Sequence, residues 1–80
     1  MTARVVLVGK PGCHLCDVAR EVVELVCAEA DLDFTEINIW DDPNNADRYA
    51  DRVPVVIVDD VEIAWFRVDP QQLRSAIADG

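Results

Sequence analysis

Four apolar positions in a row, Val5-Val6-Leu7-Val8, leave no side for water and predict a strand buried on both faces of a sheet. Gly9-Lys10-Pro11-Gly12 breaks the run. From Cys13 to about Ala30, Leu15, Val18, Ala19, Val22, Val23, Leu25, Val26 and Ala30 recur at helical spacing, while Asp17, Arg20, Glu21 and Glu24 are left for solvent. Asp31-Leu32-Asp33 ends this first helix, and the alternation from Phe34 to Ile39 predicts a strand with one side better buried. Strand, helix, strand implies a right-handed parallel unit. Asp42-Pro43 reads as an N-cap acceptor followed by proline at the first position of a short helix through about Tyr49, with a poor core face. Val55-Val56-Ile57-Val58 is a second wholly apolar strand, and Asp59-Asp60 a tight turn into Val61 to Trp65, giving an antiparallel hairpin. Asp69-Pro70-Gln71-Gln72 repeats the cap with Gln72 at the capping-box position, and Leu73, Ala76 and Ile77 form the face of a last helix. The order is β-α-β-α-β-β-α, with no repeats, linkers or low-complexity segments.

Cys13-His14-Leu15-Cys16 falls where the first strand hands over to the first helix. A thiol there faces the free N–H groups and positive dipole end of the helix, which favour the thiolate, and the thiolate is the nucleophile. Within one regular helix, side chains at i and i+3 hold their Cβ atoms roughly 5–6 Å apart, whereas a relaxed disulfide needs about 3.8 Å. The pair closes only if Cys13 sits in the non-helical cap and Cys16 in the first turn, which leaves the bond strained and easily reduced. These positions assign Cys13 as the attacking thiol, with a moderately lowered pKa, and Cys16 as the resolving one. A structural zinc site needs four ligands. Only Cys27 and His14 remain as candidates, and His14 points away from a metal shared by its neighbours, so no metal or cofactor is assigned.

Eighty residues make one small domain, 1–80, and no stretch approaches the roughly 18 apolar residues of a membrane helix. Met1 to Val8 has one Arg and a short apolar run without a cleavage pattern, so it does not read as a signal peptide, and a cytoplasmic address is the expectation. Three cysteines, an odd number, fit a reactive pair plus one structural thiol better than a secreted disulfide scaffold. Sixteen acidic against seven basic residues give a net charge of -9, which opposes nucleic acid and anionic membrane as partners. A monomer is expected.

With Cys-x-x-Cys opening the first helix and Val53-Pro54 opening the third strand, the chain resembles the thioredoxin fold in its minimal form, and more narrowly the glutaredoxin-like proteins, from about Val5 to Ile77. The resemblance implies an α/β fold with a four-stranded mixed sheet flanked by helices. It implies an oxidoreductase that reduces disulfides of proteins or small thiols through Cys13 and Cys16. It further implies that Pro54 is cis and faces the pair, that Val53 offers its backbone to an extended substrate, and that Lys10 holds the family's basic position near the site. The reductant stays open between a low-molecular-weight thiol and a flavoprotein reductase. Two departures stand out. His14 and Leu15 replace the Pro and Tyr of dithiol glutaredoxins, and Ala64-Trp65 replaces the Gly-Gly that ends the last strand, so a bulky indole stands on the open floor and weak glutathione binding is expected.

Cys27, eleven residues after Cys16, shares its helix face but lies roughly 16 Å along the axis, too far for a disulfide, and reads as a buried structural thiol. His14, when charged, helps hold the Cys13 thiolate, or is an exposed first-turn residue. Trp65 and Phe66 read as core or rim packing, on opposite sides of their strand. Two other classes compete with the redox reading. An iron-sulfur carrier, as in related monothiol proteins with Cys-Gly-Phe-Ser, would show a visible absorbance band, and an adaptor would keep its thiols unreactive.

Overall fold

The structure, a computed structural model, describes residues 3–79; the first two residues of the stretch read as lacking a leader lie outside them. The elements are β1 (Val5–Gly9), α1 (His14–Glu29), β2 (Phe34–Asn38), a 3-10 turn (Ile39–Asp41), α2 (Pro43–Tyr49), β3 (Val55–Val58), β4 (Val61–Trp65) and α3 (Pro70–Asp79). The four-stranded mixed sheet has the order β2-β1-β3-β4, with β1 parallel to β2 and antiparallel to β3, and β3 antiparallel to β4. This is the minimal thioredoxin fold, in the element order that the hydrophobic pattern predicts.

Alternation along the central strands divides the core. Val5 and Leu7 of β1 join Val56 and Val58 of β3, Ala19, Val23, Val26 and Cys27 of α1, and Leu73 of α3. Val8 and Val55, on the opposite face, pack with Ile39, Tyr49 and Val53. Each of these wholly buried aliphatic side chains contributes about 1.5–3 kcal/mol relative to exposure. Cys16 is the exception to the division. It belongs to α1, yet it joins the second cluster, because it reaches over the end of β1.

The boundaries follow from local chemistry. Asp42 accepts from the Asn44 N–H at 2.9 Å and caps α2. Helix α1 stops at Asp31, whose φ of 56° is left-handed, with Asp31 N–H on Ala28 C=O and Leu32 N–H on Cys27 C=O closing a Schellman turn. Asp59 and Asp60, both left-handed, make the two-residue hairpin turn. Asp69 caps α3 by accepting from Gln71 N–H, but Gln72 does not turn back to complete the capping box: its side-chain amide donates to Ile63 C=O at 2.7 Å and ties α3 to β4.

One expectation about apolar positions is corrected and one is narrowed. The helical stripe of α1 is wider than the surface it covers, so Cys16, Ala19, Val23, Val26 and Cys27 are buried while Leu15, Val18 and Leu25 are 38%, 43% and 55% exposed and Ala30 also faces solvent. Of core and rim, Trp65 and Phe66 take the rim, at 45% and 50% exposed. Trp65 lies flat enough along the strand for its indole N–H to reach Glu62 at 3.0 Å. Phe66 has a φ of 67°, a left-handed conformation that suits glycine.

Leu73 is fully buried between the sheet and α1, so Leu73→Ala is expected to cost about 2–5 kcal/mol. Phe66→Gly relieves about 1–2 kcal/mol of backbone conflict against roughly 0.5–1 kcal/mol of added chain entropy and some lost packing, so its net effect stays within about 1 kcal/mol. Urea unfolding of the two variants checks the contrast, and a loss at Phe66 as large as that at Leu73 contradicts it.

Candidate active site

The end of β1 sets the position of both thiols. After Gly9 the loop Lys10 to Gly12, with Gly12 at φ 72°, turns the chain back into α1. Cys13 lies outside the helix with extended backbone angles and acts as its N-cap: its sulfur accepts the Cys16 N–H at 3.2 Å. A sulfur thus stands where Ser, Asp or Asn usually satisfies an orphan donor. The expected division, Cys13 in the cap and Cys16 in the first turn, is the one observed. Both thiols are free in this structure.

The two sulfurs occupy different environments. Cys13 is half-buried at the rim, whereas Cys16 is 2% exposed. Cys16 is pressed against the backbone of Gly9, where an added Cβ would lie 3.3 Å from both its Cβ and its Sγ. That close approach favours glycine, because a side chain there would make Cys16 give by a few tenths of an ångström, and it gives Gly9 a role beyond breaking the strand; a glycine at a strand end is the signal that marks such contacts. Burial pushes the Cys16 thiol up to about 11, helped by its hydrogen bond to Cys13 and opposed by the backbone N–H and the charge of Lys10. Cys27 sits in the other core cluster, its thiol also raised by burial, apart from the pair as expected.

Val53 shares the cluster of Cys13 and Cys16, and the Val53-Pro54 bond is cis. Continuing the β1-β3 register beyond Val8 and Val55 sets Pro54 beside Gly9, the residue on which Cys16 rests. Only part of Val53's backbone is left to a substrate. Its N–H donates to Tyr49 C=O at 3.1 Å, because the last carbonyls of α2 need donors and those of Arg52 and Val53 arrive first. The Pro54 carbonyl accepts the Phe66 N–H at 2.8 Å, which anchors Phe66 over this end of the sheet. The left-handed residue is therefore Phe66, one position beyond the Ala64-Trp65 pair that takes the place of Gly-Gly in the sequence.

Lys10 and His14 diverge. Lys10 borders a polar cavity of about 340 Å³ with Asp17, Arg20, Glu36 and Asp41. His14 is exposed and lies on the other side of the pair, in a groove of about 460 Å³ with Leu15, Val18 and Phe66.

The contrast between the sulfurs sets an alkylation order. At pH about 8, modification is expected at Cys13, with Cys16 following only as the pH nears 11, and mass mapping of the labelled chain checks it; equal labelling of both at the lower pH contradicts it. The sign for stability follows. An unfolded Cys16 gives up its proton near 9.0 while the folded one holds it to about 11, so its contribution is whole below the first value and is lost as pH rises toward the second.

The whole chain has known relatives. Residues 4–78 match the family described as Glutaredoxin-like domain (DUF836). The uncharacterized protein Rv0508 of Mycobacterium tuberculosis is 32% identical over 94% of this chain and 82% of its own length. Among solved structures, protein Ne2328 of Nitrosomonas europaea superposes with a TM-score of 0.81 at 24% identity, covering 96% of this chain and 93% of that one. Protein XcR50 of X. campestris superposes at 0.77 with 28% identity, covering 95% and 97%. Thioredoxin 1 of Thermosipho africanus, at 0.69 and 17% identity over 95% and 91%, shares the fold. Matched over nearly its full length, with the cysteine pair at the head of α1, the chain belongs to the glutaredoxin-like DUF836 family.

Proposed function

We propose that the protein is a dithiol-disulfide oxidoreductase that reduces disulfides in proteins or small thiols, and that it works in the cytoplasm; no helix among the described residues is long and apolar enough to cross a membrane. One observation carries the reading: a half-buried sulfur at the helix cap that accepts the backbone N–H of a second, buried cysteine one turn into the helix.

The chemistry is two exchanges. The Cys13 thiolate attacks one sulfur of the substrate disulfide, a Cys13-substrate disulfide forms, and the other substrate sulfur leaves as a thiolate that takes a proton. Cys16 then loses its proton to solvent or to the departing sulfur, attacks the Cys13 sulfur, forms the Cys13-Cys16 disulfide and releases the second substrate thiol. The substrate gains two electrons and the pair loses two. A low-molecular-weight thiol or a flavoprotein reductase returns the pair to the dithiol. The Cys16 N–H donates to the sulfur at which both exchanges take place. Val53 packs with the pair and the fully buried Pro54 backs it beside Gly9, and Lys10 acts at the resolving sulfur, through its backbone N–H and its charge.

Burial gives the two thiols unequal roles, so Cys16→Ser is expected to accumulate mixed disulfides through Cys13, while Cys13→Ser accumulates almost none. Nonreducing gels and peptide mass mapping after exposure to a disulfide-containing protein check this. Equal trapping by the two variants, or trapping through Cys27, overturns the assignment, and thiols that react with no disulfide overturn the redox reading itself.

A further inference from the structure

The groove beside the cysteine pair differs in character from the rest of the surface. Its walls are apolar, Leu15, Val18 and Val22 from α1 facing Phe66. Leu15, Val18 and Phe66 are among the few large apolar side chains that the fold leaves exposed. Its only charged or titratable groups are His14 and Arg67, with no carboxylate, in a chain of 16 acidic residues. Of the seven basic side chains, Arg4, Arg20, Arg48 and Arg74 are held by carboxylates. Among the described residues the other three, Lys10, Arg52 and Arg67, have no ion-pair partner, and each lines a cavity at the cysteine end of the sheet.

Phe66 is the second observation. An aromatic residue holds a left-handed conformation there, anchored to Pro54 and half exposed, without joining the core. Residues kept in such conformations without a packing role cluster at binding and active sites.

We propose that this groove receives a protein substrate: an extended acidic segment that carries a large apolar side chain beside the cysteine of its disulfide. Phe66 is the specificity-determining contact for the apolar side chain, and Arg67 pairs with the segment's carboxylates. The inference rests on the dithiol reading and adds the substrate class. A groove of about 460 Å³ accommodates such a side chain. A small hydrophilic thiol would leave its walls uncovered. Burying the apolar side chain supplies most of the discrimination, whereas the exposed ion pair acts chiefly on encounter and register. The reaction remains the one given above, with the Cys13 thiolate attacking the cysteine sulfur of the segment and the partner thiol leaving.

The test is single-turnover reduction by the full-length reduced protein. Its substrates are four short peptides, each disulfide-linked to 2-mercaptoethanol, with Phe or Gly next to the cysteine and Asp or Lys flanking it; hydroxyethyl disulfide is the reference. The Phe-Asp peptide is expected to react about 10-fold faster than the Gly-Lys peptide. Phe66→Gly removes the preference for Phe over Gly, measured as a ratio to the reference rate. Arg67→Glu reverses the preference for Asp over Lys and the direction of its salt dependence. Equal rates for the four peptides beside a working reference reaction, or variants that leave the ranking as it was, overturn this inference and leave the dithiol reading standing. No reaction with any of the five disulfides overturns both.

Discussion

The hydrogen bond from the Cys16 N–H to the Cys13 sulfur is the contact on which the rest of the site depends. It closes the N-terminus of α1, so the helix starts at the cysteine pair. It fixes Cys13 outside the helix and Cys16 inside it, which brings two sulfurs together that a regular helical turn would hold apart. The neighbouring features serve the same arrangement. Gly9 leaves room for Cys16, which would sit within 3.3 Å of a Cβ there, and Pro54 stands on the next strand at the same level.

Much of this was legible in the sequence because the governing interactions are local. Wholly apolar four-residue runs gave the two central strands, Asp42-Pro43 and Asp69-Pro70 gave the helix starts, and Cys13 as a cap followed from the reach of a disulfide. What escaped depends on contacts between distant segments. The width of the apolar stripe on α1 says nothing of how much of it the sheet covers, so Leu15, Val18 and Leu25 read as core although they lie in solvent. Gln72 has the spacing of a capping box, but the carbonyl of Ile63 on β4 is a competing acceptor that only the tertiary fold supplies. The same holds for Val53, whose N–H is claimed by the end of α2. Phe66 hid its left-handed backbone because nothing in an aromatic residue announces a conformation that glycine prefers. Ile39, the first residue of the 3-10 turn, reads as a strand end because it is apolar and buried whichever way the chain turns.

Charge is arranged with the same economy. Exposed ion pairs add little stability, but with four of the arginines paired to carboxylates, Arg67 stands without an ion-pair partner among the described residues, in a groove that no carboxylate lines. A chain of net charge -9 thereby presents, at that groove, a face whose local character differs from its average. Beyond a Debye length of about 8 Å the excess acid charge is screened, so a partner at the groove responds to that face.

The central claim is that Cys13 and Cys16 form a reversible two-electron couple, and an equilibrium titration tests it most directly. In buffers of reduced and oxidised dithiothreitol, the fraction of oxidised protein is followed by acid-quenched alkylation and mass. The account predicts one transition in which each tenfold change in ratio corresponds to about 30 mV, with the loss of two hydrogens mapped to Cys13 and Cys16, present in Cys27→Ser and absent when either member of the pair is replaced. No reversible oxidation, or a disulfide that includes Cys27, would contradict it.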